Sequence, residues 1–201
     1  NALEVGKRYA QDGIGRLDLS EEEIEIASKF ALAELIKGGS TTVVGITPMA
    51  NSRWQSPFKQ SQILTETAGD LGVRAYISHQ FRSAVKYKDD QDSTKYYWNE
   101  EEGKKGLEKS IEFNKQYHKS FKDRIRTMLF PYQFETCSIE LLQKTREVAN
   151  EHNWMIHMHA AEFMNQFHES LRRYNKTPVQ CLKDIGFLGK DLILTHVLYT
   201  T

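Results

Sequence analysis

Residues 154–162 read WMIHMHAAE, an apolar run that ends in two histidines and a glutamate. Alternate side chains of a strand share a face, so we expect His157 and His159 to point to the same side, with His159 at the end of the strand. Neutral imidazoles bind zinc or iron, and a nearby carboxylate such as Glu162 can move protons. Two core histidines beside a solvated glutamate explain this segment equally well.

A second apolar run, Asp191–Val197, also contains a histidine at its end, His196. A single histidine that closes a strand is more often hydrogen-bonded structure than a metal ligand. If both strands are parallel, however, their carboxyl ends meet at one rim, where His159 and His196 would lie together. The two runs therefore favour a metal site in a parallel α/β fold.

Helices and apolar strands alternate along the whole chain. Ser20–Glu23 forms a capping-box pattern before a helix, and Thr41–Ile46 is apolar without alternation, which predicts a strand buried on both faces of a parallel sheet. Further strands are predicted at Val73–Ser78, Arg124–Phe130, up to His159, and Leu192–His196. Helices are predicted near Gln60–Leu71, within Glu100–His118, after Ser138 and after Thr177.

Five strands separated by helices form either an open doubly wound sheet or part of a (β/α)8 barrel. No glycine-rich phosphate-binding motif follows any predicted strand, so nucleotide binding of the familiar kinds has no support. The predicted strands place polar or turn-forming residues at their carboxyl ends, which favours the barrel. These residues are His79, Pro131, His159 and His196.

The composition excludes several classes of function. The 201 residues contain 27 basic and 27 acidic side chains, so nothing points to nucleic acid or an anionic membrane as a partner. No stretch approaches the ~20 apolar residues of a membrane span, and no signal-peptide centre is visible. If Asn1 is the true start, we expect a cytoplasmic protein. Cys137 and Cys181 are too few for a disulfide framework or a cysteine knuckle, which disfavours the small zinc deaminases with a P-C-x-x-C signature.

With these residues in place, the chain resembles the amidohydrolase superfamily, in the branch that contains cytosine, guanine and adenosylhomocysteine deaminases and the triazine hydrolases. Four segments carry the resemblance: Ala33–Val44, Thr136–Ser138, His157–Glu162 and Gly186–His196. The resemblance implies a metal-dependent hydrolase with a (β/α)8 TIM barrel, of which residues 1–201 form one partial domain. It also implies one divalent metal ion, with zinc preferred to iron.

The resemblance assigns roles to three residues and none to a fourth. His159 and His196 match metal ligands, and Glu162 matches the catalytic acid/base, whereas His157 is expected to be a packed barrel residue. The family's His-x-His pair of the first strand and its aspartate after the eighth strand have no counterpart in this sequence. We therefore expect strands two to six of an incomplete barrel, without the first strand and the last two.

The implied reaction is the hydrolytic deamination of an amino-substituted nitrogen heterocycle, a purine, pyrimidine or related ring, by metal-activated water. Displacement of chloride or an alkylamine from a triazine-like ring, hydrolysis of a cyclic amide, and a non-catalytic barrel remnant used for binding or assembly are the alternatives. Substrate contacts are expected from Arg82 and Trp98 in the insertion Phe81–Gly103, which otherwise reads as a solvated loop or a subunit contact. Exposed strand edges would favour a homo-oligomer.

Overall fold

The computed structural model describes residues 19–47, 54–90 and 93–200. The helices are α1 (Glu21–Lys37), α2 (Phe58–Asp70), α3 (Glu100–Tyr117), α4 (Ile139–His152), α5 (Met164–Tyr174) and α6 (Pro178–Asp184). The strands are β1 (Thr42–Ile46), β2 (Arg74–Phe81), β3 (Ala84–Lys88), β4 (Thr94–Trp98), β5 (Ile125–Pro131), β6 (Met155–Ala160) and β7 (Leu192–His196). Short turns lie at Ser120–Asp123 and, as a 3-10 helix, at Phe134–Thr136.

Five parallel strands form the main sheet in the order β1-β2-β5-β6-β7. Each of these strands therefore pairs with the sheet strand before it in the chain, as in a barrel. In a doubly wound sheet, by contrast, the order in which strands are added reverses at a switch point. Strands β1 and β7 lie at opposite edges and do not pair with each other, so the described strands do not close the barrel. The predicted fold, an incomplete (β/α)8 barrel, is confirmed.

The helices pack on one face of this sheet. Two buried clusters lie between the helices and the sheet. One contains Ala75, Ile77 and Phe113, and the other contains Ile156 and Met158. Helix α3 approaches the end of β2 so closely that a Cβ on Gly106 would lie 2.6 Å from Cβ of Phe81. Glycine is required there because any side chain would push the helix away from the strand.

The opposite face of the sheet, which lines the interior of a barrel, is only partly covered. Phe130 and His157 are buried on it, but Val44 and Ile46 of β1 remain 49% and 42% exposed. The prediction that Thr41–Ile46 is buried on both faces is therefore wrong within the described residues. Only the face with Val43 packs against the helices, because no described strand covers the other face of β1.

The capping patterns predicted from the sequence are confirmed. Ser20 and Thr177 each form a capping box, and the Ser138 hydroxyl accepts a hydrogen bond from the backbone N–H of Leu141. The exposed apolar residues of α1 depart from a simple amphipathic pattern, since Leu32 is buried while Phe30 is 69% exposed. No helix among the described residues is long and apolar enough to span a membrane.

The insertion Phe81–Gly103 is not a solvated loop. Strands β3 and β4 form an antiparallel hairpin, in which Ala84 pairs with Trp98 and Lys88 with Thr94. Ala84, Val85 and Lys86 are buried. The sequence hid this hairpin because lysines and tyrosines alternate with few aliphatic residues, so the pattern resembles a polar surface segment.

We expect the 201-residue chain, expressed alone, to be poorly soluble or oligomeric and to show no deaminase activity even with added zinc. Among the described residues no strand pairs with the outer edges of β1 and β7, which lie beside apolar side chains, and such edges favour pairing between chains. Light scattering and an ammonia assay measure both outcomes. The variant Val44→Lys should increase the monomer fraction, and a soluble monomer with metal-dependent turnover would contradict the prediction.

Candidate functional site

Three polar side chains lie together at the carboxyl ends of β6 and β7. Ala160 pairs with His196 in register, and the N–H of Val197 donates to the carbonyl of Ala160. The backbone then turns sharply, since Ala161 has φ +53° and His196 has φ +76°. Such conformations are unfavourable for residues other than glycine and tend to occur at functional sites. The turn at Ala161 brings Glu162 back towards the two strand ends.

His159, His196 and Glu162 meet at this edge. One ligand atom from each residue can be chosen so that all three lie within 4.8 Å of one another. The imidazole rings of His159 and His196 are 5.0 Å apart at their centroids and nearly perpendicular. Oε1 of Glu162 lies 3.5 Å from Nε2 of His196. The residues that the sequence singles out in separate segments are thus brought together by the fold.

His159 is held in its uncharged form. Burial, and secondarily the neighbouring His196, lower the pKa of His159 to about 4. Its backbone N–H donates to the carbonyl of Tyr132 at 3.0 Å, and its ring lies against those of Phe130 and Tyr132. A neutral imidazole has a free lone pair at neutral pH, which is the form that binds a metal ion.

His157 is a packed barrel residue, as predicted. It is 4% exposed and stacks on Phe130 with 4.5 Å between ring centroids. Its Nε2 lies 2.6 Å from the hydroxyl of Thr195. Burial, followed by the neighbouring His159 and His196, lowers the pKa of His157 to about 4. The ring of His157 therefore packs against that of His159, and the ring of His159 in turn contacts that of His196.

Arg82 and Trp98 occupy different positions relative to the three-residue cluster. The Arg82 guanidinium lies over the ring of Tyr132 at 5.3 Å, so one aromatic ring separates it from His159. Trp98 lies at the base of the hairpin, opposite Ala84, where the guanidinium of Arg173 covers its ring at 4.8 Å. The indole is 37% exposed. Arg82 is thus linked to the cluster through Tyr132, whereas Trp98 contacts Arg173 of α5.

Two glutamines that the sequence did not indicate contact Glu162 directly. Nε2 of Gln133 donates to Oε2 of Glu162 at 3.2 Å, and the backbone N–H of Glu162 donates to Oε1 of Gln166 at 2.7 Å. Gln133 follows β5, and Gln166 lies in the first turn of α5. No sequence motif marks either residue, because an isolated glutamine is common on protein surfaces.

His79, which also stands near the end of a strand, does not join the site. It is fully buried on the helix side of the sheet, between the rings of Phe58 and Phe113. Its Nδ1 lies 3.1 Å from the hydroxyl of Ser61, and its Nε2 lies 3.2 Å from Oε1 of Gln55. The alternation of side chains along β2 explains this placement, since Ala75 and Ile77 share the same face.

We expect His79 to make the stability of the intact protein depend on pH. Burial lowers the pKa of His79 from 6.5 to about 4. Between these values the unfolded chain binds a proton that the folded chain does not, so stability falls as the pH falls. His79 should contribute about 2 kcal/mol to the loss between pH 7 and pH 5.

Urea denaturation of the intact protein at both pH values measures the total loss, to which His157 and His159 also contribute because burial lowers the pKa of each. The variant His79→Gln should show a smaller difference between the two pH values, whatever its stability at pH 7. The exposed His168 provides the control, since His168→Gln should keep the wild-type difference. An unchanged pH dependence in His79→Gln would contradict the assignment.

Comparison with known proteins shows which proteins the chain is similar to. A sequence model of the amidohydrolase family matches residues 6–201. The chain is 29% identical over 178 residues to a 5-methylthioadenosine/S-adenosylhomocysteine deaminase of Thermococcus kodakarensis, covering 89% of this chain and 36% of that protein. It is 38% identical over 184 residues to a 5'-deoxyadenosine deaminase of Methanosarcina barkeri, covering 90% of this chain and 36% of that protein.

The fold of the chain is similar to that of a solved structure. The crystal structure of an adenosine deaminase from Xanthomonas campestris with bound zinc matches with a TM-score of 0.70 and 17% identity, over 96% of this chain and 38% of that chain. At this identity the match shows a common fold. The chain spans little more than a third of the length of the two curated relatives that it matches.

Proposed function

The chain belongs to the amidohydrolase family, and from this membership we propose that the intact protein hydrolyses an amino-substituted nitrogen heterocycle and releases ammonia. In this reaction the ring carbon exchanges its C–N bond for a C–O bond; water supplies the oxygen and one hydrogen to the product and its other hydrogen to the departing amino group, which leaves as ammonia. The observation that carries the proposal is the meeting of His159, His196 and Glu162 at the carboxyl ends of β6 and β7. Active sites of (β/α)8 barrels form at this end of the strands.

The residues fit part of a divalent metal site. His159 and His196 supply two imidazole nitrogens, which suit zinc and also iron, and we assign both as ligands. Catalytic zinc sites use three protein ligands, so with His159 and His196 as two of them the proposal requires at least one further ligand from outside the described residues. When bound, the metal ion lowers the pKa of a water molecule and so provides a nucleophile at neutral pH.

Glu162 is the proposed acid/base. Its Oε2 accepts a hydrogen bond from Gln133, whereas its Oε1 faces the site beside His196. From this position Oε1 can hold a proton and deliver it to a ring nitrogen next to the carbon that carries the amino group. The aromatic rings of Phe130 and Tyr132 pack against the ring of His159 and so provide an apolar surface on this side of the site.

The similarity to deaminases of 5'-deoxyadenosine and 5-methylthioadenosine makes adenine nucleosides the first substrates to test. Arg82, beside Tyr132, is the proposed contact for a polar group of the substrate, and Trp98 the proposed contact for a flat ring. Displacement of chloride or an alkylamine from a triazine-like ring and hydrolysis of a cyclic amide use the same residues. A binding module without activity would need none of them.

The test is ammonia release by the intact, zinc-loaded protein. We expect turnover of an adenine nucleoside among 5'-deoxyadenosine, 5-methylthioadenosine, S-adenosylhomocysteine, guanine, cytosine and a chlorotriazine. Chelation should abolish turnover, and zinc should restore it. Chloride release from the triazine without ammonia release from any other compound would favour the triazine reaction. Turnover of no compound by a metal-loaded, folded protein would contradict the proposed function.

A further inference from the structure

A buried ion pair lies behind Glu162. Lys86 of the hairpin and Glu135 of the 3-10 turn form a salt bridge with side chains that are only 8% and 1% exposed. The cost of removing two charges from water offsets most of their attraction, so such a pair adds little to stability. Oε2 of Glu135 has no hydrogen-bond partner among the described residues, so the pair is not arranged for maximal stability.

The lysine of this pair determines how Gln133 is oriented. Nζ of Lys86 donates to Oε1 of Gln133 at 2.7 Å. An ammonium group has three donors and no acceptor, so the amide of Gln133 must turn its oxygen towards Lys86. Its Nε2 is then directed at Glu162 and donates to Oε2 at 3.2 Å. If the amide were reversed, its NH2 group would face the ammonium of Lys86 and its oxygen would face the carboxylate of Glu162, and neither pair could form a hydrogen bond.

The glutamate of the pair determines how Gln166 is oriented. Nε2 of Gln166 donates to Oε1 of Glu135 at 3.0 Å. An ionised carboxylate only accepts hydrogen bonds, so Gln166 must turn its nitrogen towards Glu135. Its Oε1 then accepts the backbone N–H of Glu162 at 2.7 Å. Both glutamines are nearly inaccessible to solvent, at 5% for Gln133 and 1% for Gln166, so water cannot readily replace these contacts.

We propose that Lys86 and Glu135 are positioning residues for Glu162. Their opposite charges orient two amides, which hold Glu162 through Oε2 and through its backbone N–H. Oε1 is left as the oxygen that moves protons, 3.5 Å from Nε2 of His196. This inference rests on the proposed function through the role of Glu162.

The hairpin of β3 and β4 therefore helps to position Glu162. Arg173 of α5 joins it to the 3-10 turn, since its guanidinium lies 4.4 Å from the ring centroid of Tyr96 and 4.8 Å from that of Trp98. The same guanidinium donates to the carbonyl of Glu135 at 2.9 Å. The hairpin that carries Lys86 and the turn that carries Glu135 are thus fixed to one helix, which also carries Gln166.

The decisive variant removes both charges at once in the intact, metal-loaded protein. Lys86→Met with Glu135→Gln leaves no unpaired buried charge and allows both amides to reverse. We expect kcat to fall by up to about 100-fold, since misplacement by about 1 Å can cost this much. KM should stay within about twofold and the metal content should not change. The conservative variant Lys86→Arg, which keeps a donor-only cation, should retain most of the activity.

Two further variants complete the design. Arg146→Met with Asp191→Asn removes another largely buried ion pair, which lies at the opposite end of β7 from His196, and should leave kcat unchanged. Gln133→Met breaks one contact to Glu162 while the ion pair remains, and should lower kcat without loss of metal. It tests the same link if the Lys86/Glu135 double variant does not fold.

The outcomes separate this inference from the proposed function. If the wild type is active and the folded Lys86/Glu135 variant, or Gln133→Met in its place, keeps its kcat, the positioning role is wrong and the proposed function stands. If the wild type turns over no compound, the proposed function fails, and crystal structures of the wild type and the variant decide the positioning role. A displaced or multiply oriented Glu162 carboxylate in the variant supports the role, and an unmoved carboxylate overturns it.

Discussion

Replacing His159 or His196 with alanine in the intact protein should remove the metal ion and the activity together. Both imidazoles lie at the carboxyl ends of β6 and β7, with ligand atoms within 4.8 Å of each other, and both are the proposed ligands. Changes to residues that merely support metal ligands cost 10–100-fold in affinity, so loss of a ligand should cost more than about 100-fold. Metal analysis after gel filtration and an ammonia assay on the same samples measure the two effects.

His157 provides a close control for this experiment. It lies on the same strand and face as His159, but it stacks on Phe130 and contacts Thr195. We expect His157→Gln to retain the metal ion, with a lower thermal midpoint because a buried ring is lost. If His157→Gln loses the metal while His196→Ala keeps it, the assigned ligands are wrong.

Replacing Glu162 with glutamine should spare the metal ion and reduce kcat by about 10²- to 10⁴-fold, the usual contribution of a general acid or base. Glutamine has the same shape and can still accept the hydrogen bond from Gln133 through its oxygen. It cannot carry a proton between water and substrate. Steady-state kinetics and metal analysis of the same preparation provide the measurement.

The substitution Glu151→Gln supplies the matched control, because this carboxylate is 73% exposed on α4 and should have no effect on turnover. Loss of both metal and activity in Glu162→Gln would identify Glu162 as a ligand. Retention of full activity in this variant would require another proton carrier at the site.

Most of the barrel framework follows from local patterns in the sequence. Capping residues such as Ser138 and Thr177 and the apolar run Leu192–His196 indicate elements that the structure contains at the expected places. These signals are local, because caps and hydrophobic periodicity depend on neighbouring residues. The sequence also placed His159 and His196 at the ends of strands, from which their meeting at one rim could be predicted.

Helix α5 and the hairpin were not predicted, and the reason is the same for both. The buried residues of α5 are Gln166 and Ser170, which are polar, so no apolar stripe reveals the helix. The hairpin buries Lys86 against Glu135, and a lysine in a sequence normally indicates solvent. Both elements become recognisable only when their distant partners are known.

Which polar groups face one another depends on how distant segments pack. His79 and His159 look alike in the sequence, yet one packs among helices and the other lies beside His196. Likewise, Gln133 and Gln166 reach Glu162 from separate segments, and a buried ion pair sets their orientation. Hydrophobic periodicity reports which side of an element is buried, whereas hydrogen bonds between distant segments depend on distances of a few tenths of an ångström that only the packed chain fixes.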